Sequence, residues 1–240
     1  MNLQFTAADQ NLYGTKLVVP ENAVVTVNGT LRGVSGQKGS TIEADGTIDC
    51  TNGLLSLAGE AAVNIAETGS LKVGDKGIAS DTAGTTQYTG QKINLAAGGA
   101  ISLTANSAWK DNANNSIQVA EGNSKPSYTD ANGNTVYGST NVENPVAVYN
   151  GEFYGFLNEA LTAAATDGGV ITLMDDVTLD SSTGTIADNV TVVVPTDITL
   201  TAGNDAATIL TSTGAIQVAA GGAVNLPTAE GGTENWIGGA

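Results

Sequence analysis

The chain contains no histidine, one cysteine (Cys50) and one arginine (Arg32). Without histidine, a Ser-His-Asp triad, a Cys-His pair and histidine-based zinc sites are excluded. A single cysteine supplies neither an internal disulfide framework nor a thiolate cluster. Eight basic residues stand against 24 acidic ones, a net charge of −16. Nothing in that balance could neutralise a phosphate backbone, so nucleic acid is excluded as a partner. Anionic membranes are disfavoured for the same reason. Apolar runs are short, none approaching the length of a membrane span, so no direct membrane insertion is expected. Charged residues make up 13% of the chain, below the usual share of about a quarter. With hydrophobic residues at 41%, the chain is nevertheless too apolar for a disordered acidic tail. The start, Met1-Asn-Leu-Gln, lacks a basic segment followed by an apolar one, and the end, Trp236-Ile-Gly-Gly-Ala, follows a glycine-rich patch. The chain is therefore expected to be a mature form or an excised fragment of an exported protein.

What is abundant is glycine, 31 residues, and it falls on a beat. Leu55, Val63 and Leu71 are eight residues apart, as are Leu57, Ile65 and Val73. Ile93 and Ile101, Leu95 and Leu103, Ile216 and Val224, and Val218 and Leu226 keep the same spacing. Each beat is a short strand with two apolar residues on one face, followed by a corner such as AGEA, AETG or AAGG. Strand alternation sends the other set outward: Ser56, Asn64, Lys72, Asn94, Ser102, Gln217 and Asn225. Eight residues are too few for a helical repeat or a βαβ unit. They fit one side of a three-sided coil of about 24 residues, with glycine at the corners where positive φ is needed. An antiparallel meander with four-residue loops is the alternative. The expected fold is all-β, a parallel β-solenoid with short glycine-cornered strands and one capping α-helix.

That helix lies in the stretch Val146–Asp180 around which the chain is arranged. Phe153, Phe156, Leu157, Ala160, Leu161 and Ala164 form an apolar stripe, and Gly168-Gly169 reads as its stop. The spacing predicts a helix over 153–166 and then a strand alternating Val170, Thr172, Met174 with Ile171, Leu173. A stacked repeat must close its apolar end with an atypical element, and the helix suits that role.

The chain also resembles itself. Residues 47–67 align without a gap on 208–228, and 17–27 on 192–202; the offsets differ by an insertion around 32–45. Three regions are expected: a solenoid over 1–104, an Asn/Gly-rich insertion over 105–145, and a second solenoid over 146–240 led by the helix and truncated. The simplest source is a parent of tandem modules. Within the insertion, 126–138 reads as a β-hairpin over an Asn-Gly turn.

Candidate sites are few. Asp130, Asn132 and Asn134 have the spacing of a calcium loop, but no closing acidic residue follows, and a hairpin turn explains them sufficiently; no other cofactor is indicated. Asp175 and Asp176, placed on a strand, would point to opposite faces and could not flank one glycosidic bond. Glu43 and Asp45 share a face but fall in the inserted segment. Cys50 takes an inward phase and reads as a buried small side chain. Tyr149, Phe153, Tyr154 and Phe156 could stack on a sugar, although packing accounts for them. No catalytic residue is assigned, and binding residues are not identified.

The segment YNGEFYGFLNEALTAAATDGGVITLMDDVTL resembles the opening of right-handed parallel β-helix modules of the pectate-lyase-like architecture in bacterial surface proteins. The glycine- and alanine-cornered beats are similar to autotransporter passengers and other adhesins. The resemblance implies a non-enzymatic, extracellular stalk or adhesin module on the bacterial cell surface. Its partners would be host-surface or extracellular glycan or protein ligands, and tandem modules of its own parent. The alternative is a carbohydrate-active enzyme or sugar-binding module on the same scaffold.

Overall fold

The computed structural model describes residues 2–6, 10–12, 14–35, 38–81, 84–90, 93–179, 185–202, 210–211, 214–225 and 237–238. The fold is an all-β parallel solenoid of short strands, with two helices among the described residues. The chain divides into two compact units, 1–141 and 142–240.

The first unit winds around three faces. One carries seven strands, beginning with the parallel series Asn2–Phe5, Val24–Val27, Thr47–Cys50, Ser70–Val73 and Ala100–Leu103. A second carries Gln10–Asn11, Thr30–Arg32, Leu54–Ser56 and Ile78–Ala79. The third carries Lys16–Val19, Thr41–Ala44, Ala62–Ile65, Ile93–Leu95 and Ile117–Val119. The chain visits the faces in turn, so the eight-residue beat of Leu55, Val63 and Leu71 is one residue per face. On the seven-stranded face the partners Asn2–Val24, Val24–Thr47 and Thr47–Ser70 are displaced by 22, 23 and 23 residues. Ser70–Ala100 is displaced by 30 because the third coil carries extra chain between Ala79 and Ile93. Inward residues stack like on like, as in Val25–Ile48–Leu71–Ile101 and Ile42–Val63–Ile93–Ile117, all nearly inaccessible to water. Such columns place matched apolar side chains one strand spacing apart and form a single core.

The corners use glycine in two ways, and Gly59, Gly98 and Gly221 take the expected positive φ. In the corner Ala96–Gly99, Gly98 has φ +85, but its neighbour Gly99 is not at positive φ. Gly99 is needed because a Cβ there would stand 2.5 Å from the Ala66 carbonyl oxygen of the preceding coil. Gly46 and Gly69 serve the same purpose against Pro20 and Ala44. Close approach between coils, rather than φ, is the main reason for glycine at those positions.

The stretch 105–141 is part of this unit. The hairpin Ser127–Thr129/Thr135–Tyr137 forms as expected and pairs antiparallel with Ala100–Leu103, ending the parallel series on that face. Before it stands a helix absent from the sequence reading, α1 (Lys110–Ser116). It carries one apolar residue, Ala113, and so has no stripe to detect. Its anchors are the fully buried Trp109, whose Nε1 donates to the Tyr88 carbonyl at 3.1 Å, and Ser116, whose hydroxyl donates to the same oxygen at 3.0 Å. The segment 32–45 is also more regular than an insertion: Thr41–Ala44 is a full strand of the third face, leaving a small hairpin, Val34–Ser35 with Lys38–Gly39, as the extra chain.

The second unit opens on a hairpin, Ala147–Tyr149 with Glu152–Tyr154, then α2 (Leu157–Asp167). The helix starts four residues later than expected, because Asn150 (φ +51) and Gly151 (φ +84) form a two-residue turn that draws Phe153 into a strand. Leu157, Ala160, Leu161 and Ala164, at helical spacing, are buried against Ile171, Leu173 and Val192. Gly168, at φ +71, ends the helix and donates its N–H to the Ala164 carbonyl. Parallel coils follow: Gly169–Leu173, Val190–Val194 and Ala215–Val218 on one face, Val177–Leu179, Thr199–Ala202 and Ala223–Asn225 on another. The matched segments 17–27 and 192–202 share a detail: each turns at Pro-x-Asx with Asn22 or Asp197 at φ +62 or +63. Among the described residues, no helix is long and apolar enough to cross a membrane.

Candidate functional site

Alternation on the third face of the first unit points Val18, Glu43, Asn64, Asn94 and Gln118 away from the core. Strand register sets them side by side: Val18 against Glu43, Glu43 against Asn64, Asn64 against Asn94, and Asn94 against Gln118. They form a hydrogen-bonded ladder with a direction. The Asn94 amide donates to the Asn64 carbonyl oxygen at 2.6 Å, and the Asn64 amide donates to a Glu43 carboxylate oxygen at 3.0 Å. The same Glu43 oxygen lies 3.6 Å from the Lys16 ammonium. Gln118 turns its amide to the backbone, donating to the Ile117 carbonyl at 3.2 Å.

This ladder floors a groove of about 600 Å³ whose lining continues over the adjoining corners at Asp45, Ala66, Ala96 and Ala120. Alanines keep that rim low. Among the described residues Lys16 is the only cation of the lining, and it is already paired with Glu43. Each asparagine amide has two N–H groups and a carbonyl, so the ladder leaves donors and acceptors facing the groove. Its chemistry is that of neutral hydrogen bonding on a surface held rigid by the stacked backbone.

Asn64 and Asn94 belonged to the outward set expected from the sequence, but that set mixes three faces. Lys72 and Ser102 share the seven-stranded face, while Ser56 is fully covered, its hydroxyl donating to the Asp81 carbonyl. A coil count from the sequence would have joined Gln118 to Asn94, 24 residues on, but not Asn94 to Asn64, which stand 30 apart because of the extra chain in the third coil.

The other candidates are dispersed. Glu43 and Asp45 both line the groove, one on a regular strand and one at the corner. Asp175 and Asp176 occupy a corner rather than a strand, where an Asp176 carboxylate oxygen accepts the Thr199 N–H at 2.7 Å. Asp130 closes the hairpin loop: one carboxylate oxygen accepts the backbone N–H groups of Asn132 and Asn134, and the other accepts the Asn134 side-chain amide. Among the described residues, no three His, Cys, Asp or Glu side chains gather as a metal site. Cys50 is wholly buried, and burial, reinforced by the charge of Asp49, pushes its thiol up to about 12. Tyr149 and Phe153 are buried, the Tyr149 hydroxyl donating to the Gly168 carbonyl at 2.7 Å, while Phe156 stays 68% exposed. Comparison with known proteins finds no matching family model, no similar curated protein and no similar solved structure.

Proposed function

We propose that the chain is a non-enzymatic module of a bacterial cell-surface adhesin or stalk, a pectate-lyase-like β-helix related to autotransporter passengers. It acts outside the cell by presenting contacts to host-surface or extracellular glycan or protein ligands. The observation that carries this reading is the outward ladder Glu43–Asn64–Asn94, a row of polar contacts fixed across successive coils. A stack of coils supplies reach, and an acidic surface keeps an extended module soluble. Adherence of beads coated with the chain to a panel of cell surfaces and glycan arrays tests the proposal. Saturable, selective adherence is expected; beads that adhere no more than albumin-coated ones overturn the adhesin.

One observation favours a second reading, a carbohydrate-active enzyme: Glu43 and Asp45 line one groove, and paired carboxylates are the usual equipment for glycoside hydrolysis. Release of reducing ends from a polysaccharide, abolished by Glu43→Gln, would replace the first reading with this one.

A further inference from the structure

We infer that the groove on the third face of the first unit binds a linear, neutral polysaccharide laid along the stack, across the strands. The inference rests on the adhesin reading and gives it a contact surface and a ligand class.

Spacing is the first argument. The outward positions 43, 64, 94 and 118 are paired residue by residue through consecutive strands. They therefore recur at the strand separation of about 4.8 Å, and the row from Val18 to Gln118 runs roughly 19 Å. A polymer matching that row needs one polar contact per strand spacing. A bound peptide strand presents same-side groups every second residue, about 6.6–6.8 Å apart, and falls out of step within two contacts. The sugar units of an extended glycan recur at a spacing close to the ladder's.

Chemistry is the second. A sugar hydroxyl both donates and accepts, and a carboxamide answers in both roles without a charge, with two N–H groups and a carbonyl to offer. The ladder uses one N–H of Asn64 and one of Asn94 internally, which fixes both rotamers before any ligand arrives. Preorganised groups lose less freedom on binding.

Electrostatics is the third. Among the described residues the lining holds two carboxylates, Glu43 and Asp45, against one cation, Lys16, which is paired with Glu43, in a chain of net charge −16. A polyuronate or sulfated glycan would meet repulsion at the Glu43–Asp45 end of the groove.

The test titrates the intact chain, labelled with ¹⁵N, with cellohexaose, maltohexaose and xylohexaose, and with hexagalacturonate as the polyanionic counterpart. At least one neutral hexasaccharide is expected to shift the side-chain amide signals of Asn64 and Asn94. Asn64→Ala and Asn94→Ala should each weaken that binding about tenfold while leaving the melting temperature close to that of the parent. Lys72→Ala, on another face, should bind as the parent does. Neutral binding unaffected by the two asparagine variants, equal binding of hexagalacturonate, or no neutral binding overturns the inference. Bead adherence separates this from the adhesin reading: coated beads that adhere equally well with Asn94→Ala sink the groove alone.

Discussion

Gly99 lies directly against the Ala66 carbonyl of the coil before it, so close that a Cβ at residue 99 would stand 2.5 Å from that oxygen. The Gly99 N–H meanwhile donates to the Ala96 carbonyl, closing its own corner. One residue thus closes a turn and sets how tightly two coils stack. Gly222 repeats the arrangement against Pro195 in the second unit. The corner backbone, as well as the apolar columns, determines the rise of the solenoid.

Gly99→Ala should therefore destabilise the first unit. The oxygen it meets is backbone, held by the coil, and cannot swing aside as a flexible side chain would. Overpacking of this kind costs about 1–3 kcal/mol. Urea denaturation should show a lower midpoint with little change in slope. Ala97→Ser, at the exposed position of the same corner, should stay within about 0.5 kcal/mol of the parent.

Among the described residues Trp109 is the largest fully buried side chain, and its indole N–H donates to the Tyr88 carbonyl. Trp109→Ala should cost about 3–5 kcal/mol through the cavity it leaves. Trp109→Phe should cost much less than that, because Ser116 still donates to the Tyr88 oxygen and no buried acceptor is orphaned. Pairing Trp109→Phe with Ser116→Ala should cost more than the two single changes together. Thermal melts of the three variants and the double variant provide the check.

Much of the fold was legible because its signal is local and repeated. The apolar pairs at Leu55/Leu57, Val63/Ile65 and Leu71/Val73 name a face each, and all six side chains are buried. What escaped depended on contacts across coils. Gly99 reads as a turn glycine, since nothing in its own segment reports the Ala66 oxygen. α1 has no stripe because Trp109, outside it, supplies the burial. Helical spacing places Phe153 in the helix, although Asn150-Gly151, a strong two-residue turn signal, stands just before it. The ladder escaped because an eight-residue beat gives each side of the coil the same pattern. Strand register tells Asn64 and Asn94 from Lys72, since the extra chain of the third coil sets the two asparagines 30 residues apart.

Cys50 should be inert to thiol reagents in the folded protein. With its thiol pushed up to about 12 by burial, the thiolate fraction at pH 8 is roughly one in ten thousand. Ellman's reagent should give no colour until denaturant is added, then one equivalent. The same shift makes stability depend on alkali. The native thiol keeps its proton while the unfolded one, with an ordinary value of 9.0, releases it, so the unfolded state binds fewer protons between these values. Stability present below pH 9 should therefore fall as pH rises toward 12, and Cys50→Ala should flatten that part of the fall.

Asp130 offers the sharpest contrast between a turn and a metal loop. Its carboxylate already accepts three hydrogen bonds from Asn132 and Asn134, two of them from backbone N–H groups. Charged acceptors make the stronger bonds of their kind, and Asp130→Ala should cost about 1–2 kcal/mol. The effect should be regional, because this loop joins Ser127–Thr129 to Thr135–Tyr137, the hairpin that covers the edge of Ala100–Leu103. Hydrogen exchange should therefore quicken at the amides of Val136 and Tyr137, while those of Ile48 and Leu71, deeper in the stack, keep the parent's protection. For calcium, the carboxylate is turned into the loop and already engaged, so binding would require breaking the bonds that hold the turn. Melting temperature is accordingly expected to be the same in calcium and in EDTA. A rise in calcium that disappears in Asp130→Asn would instead assign the loop as a cation site, and hydrogen exchange at the same amides would show whether the ion replaces the turn or tightens it.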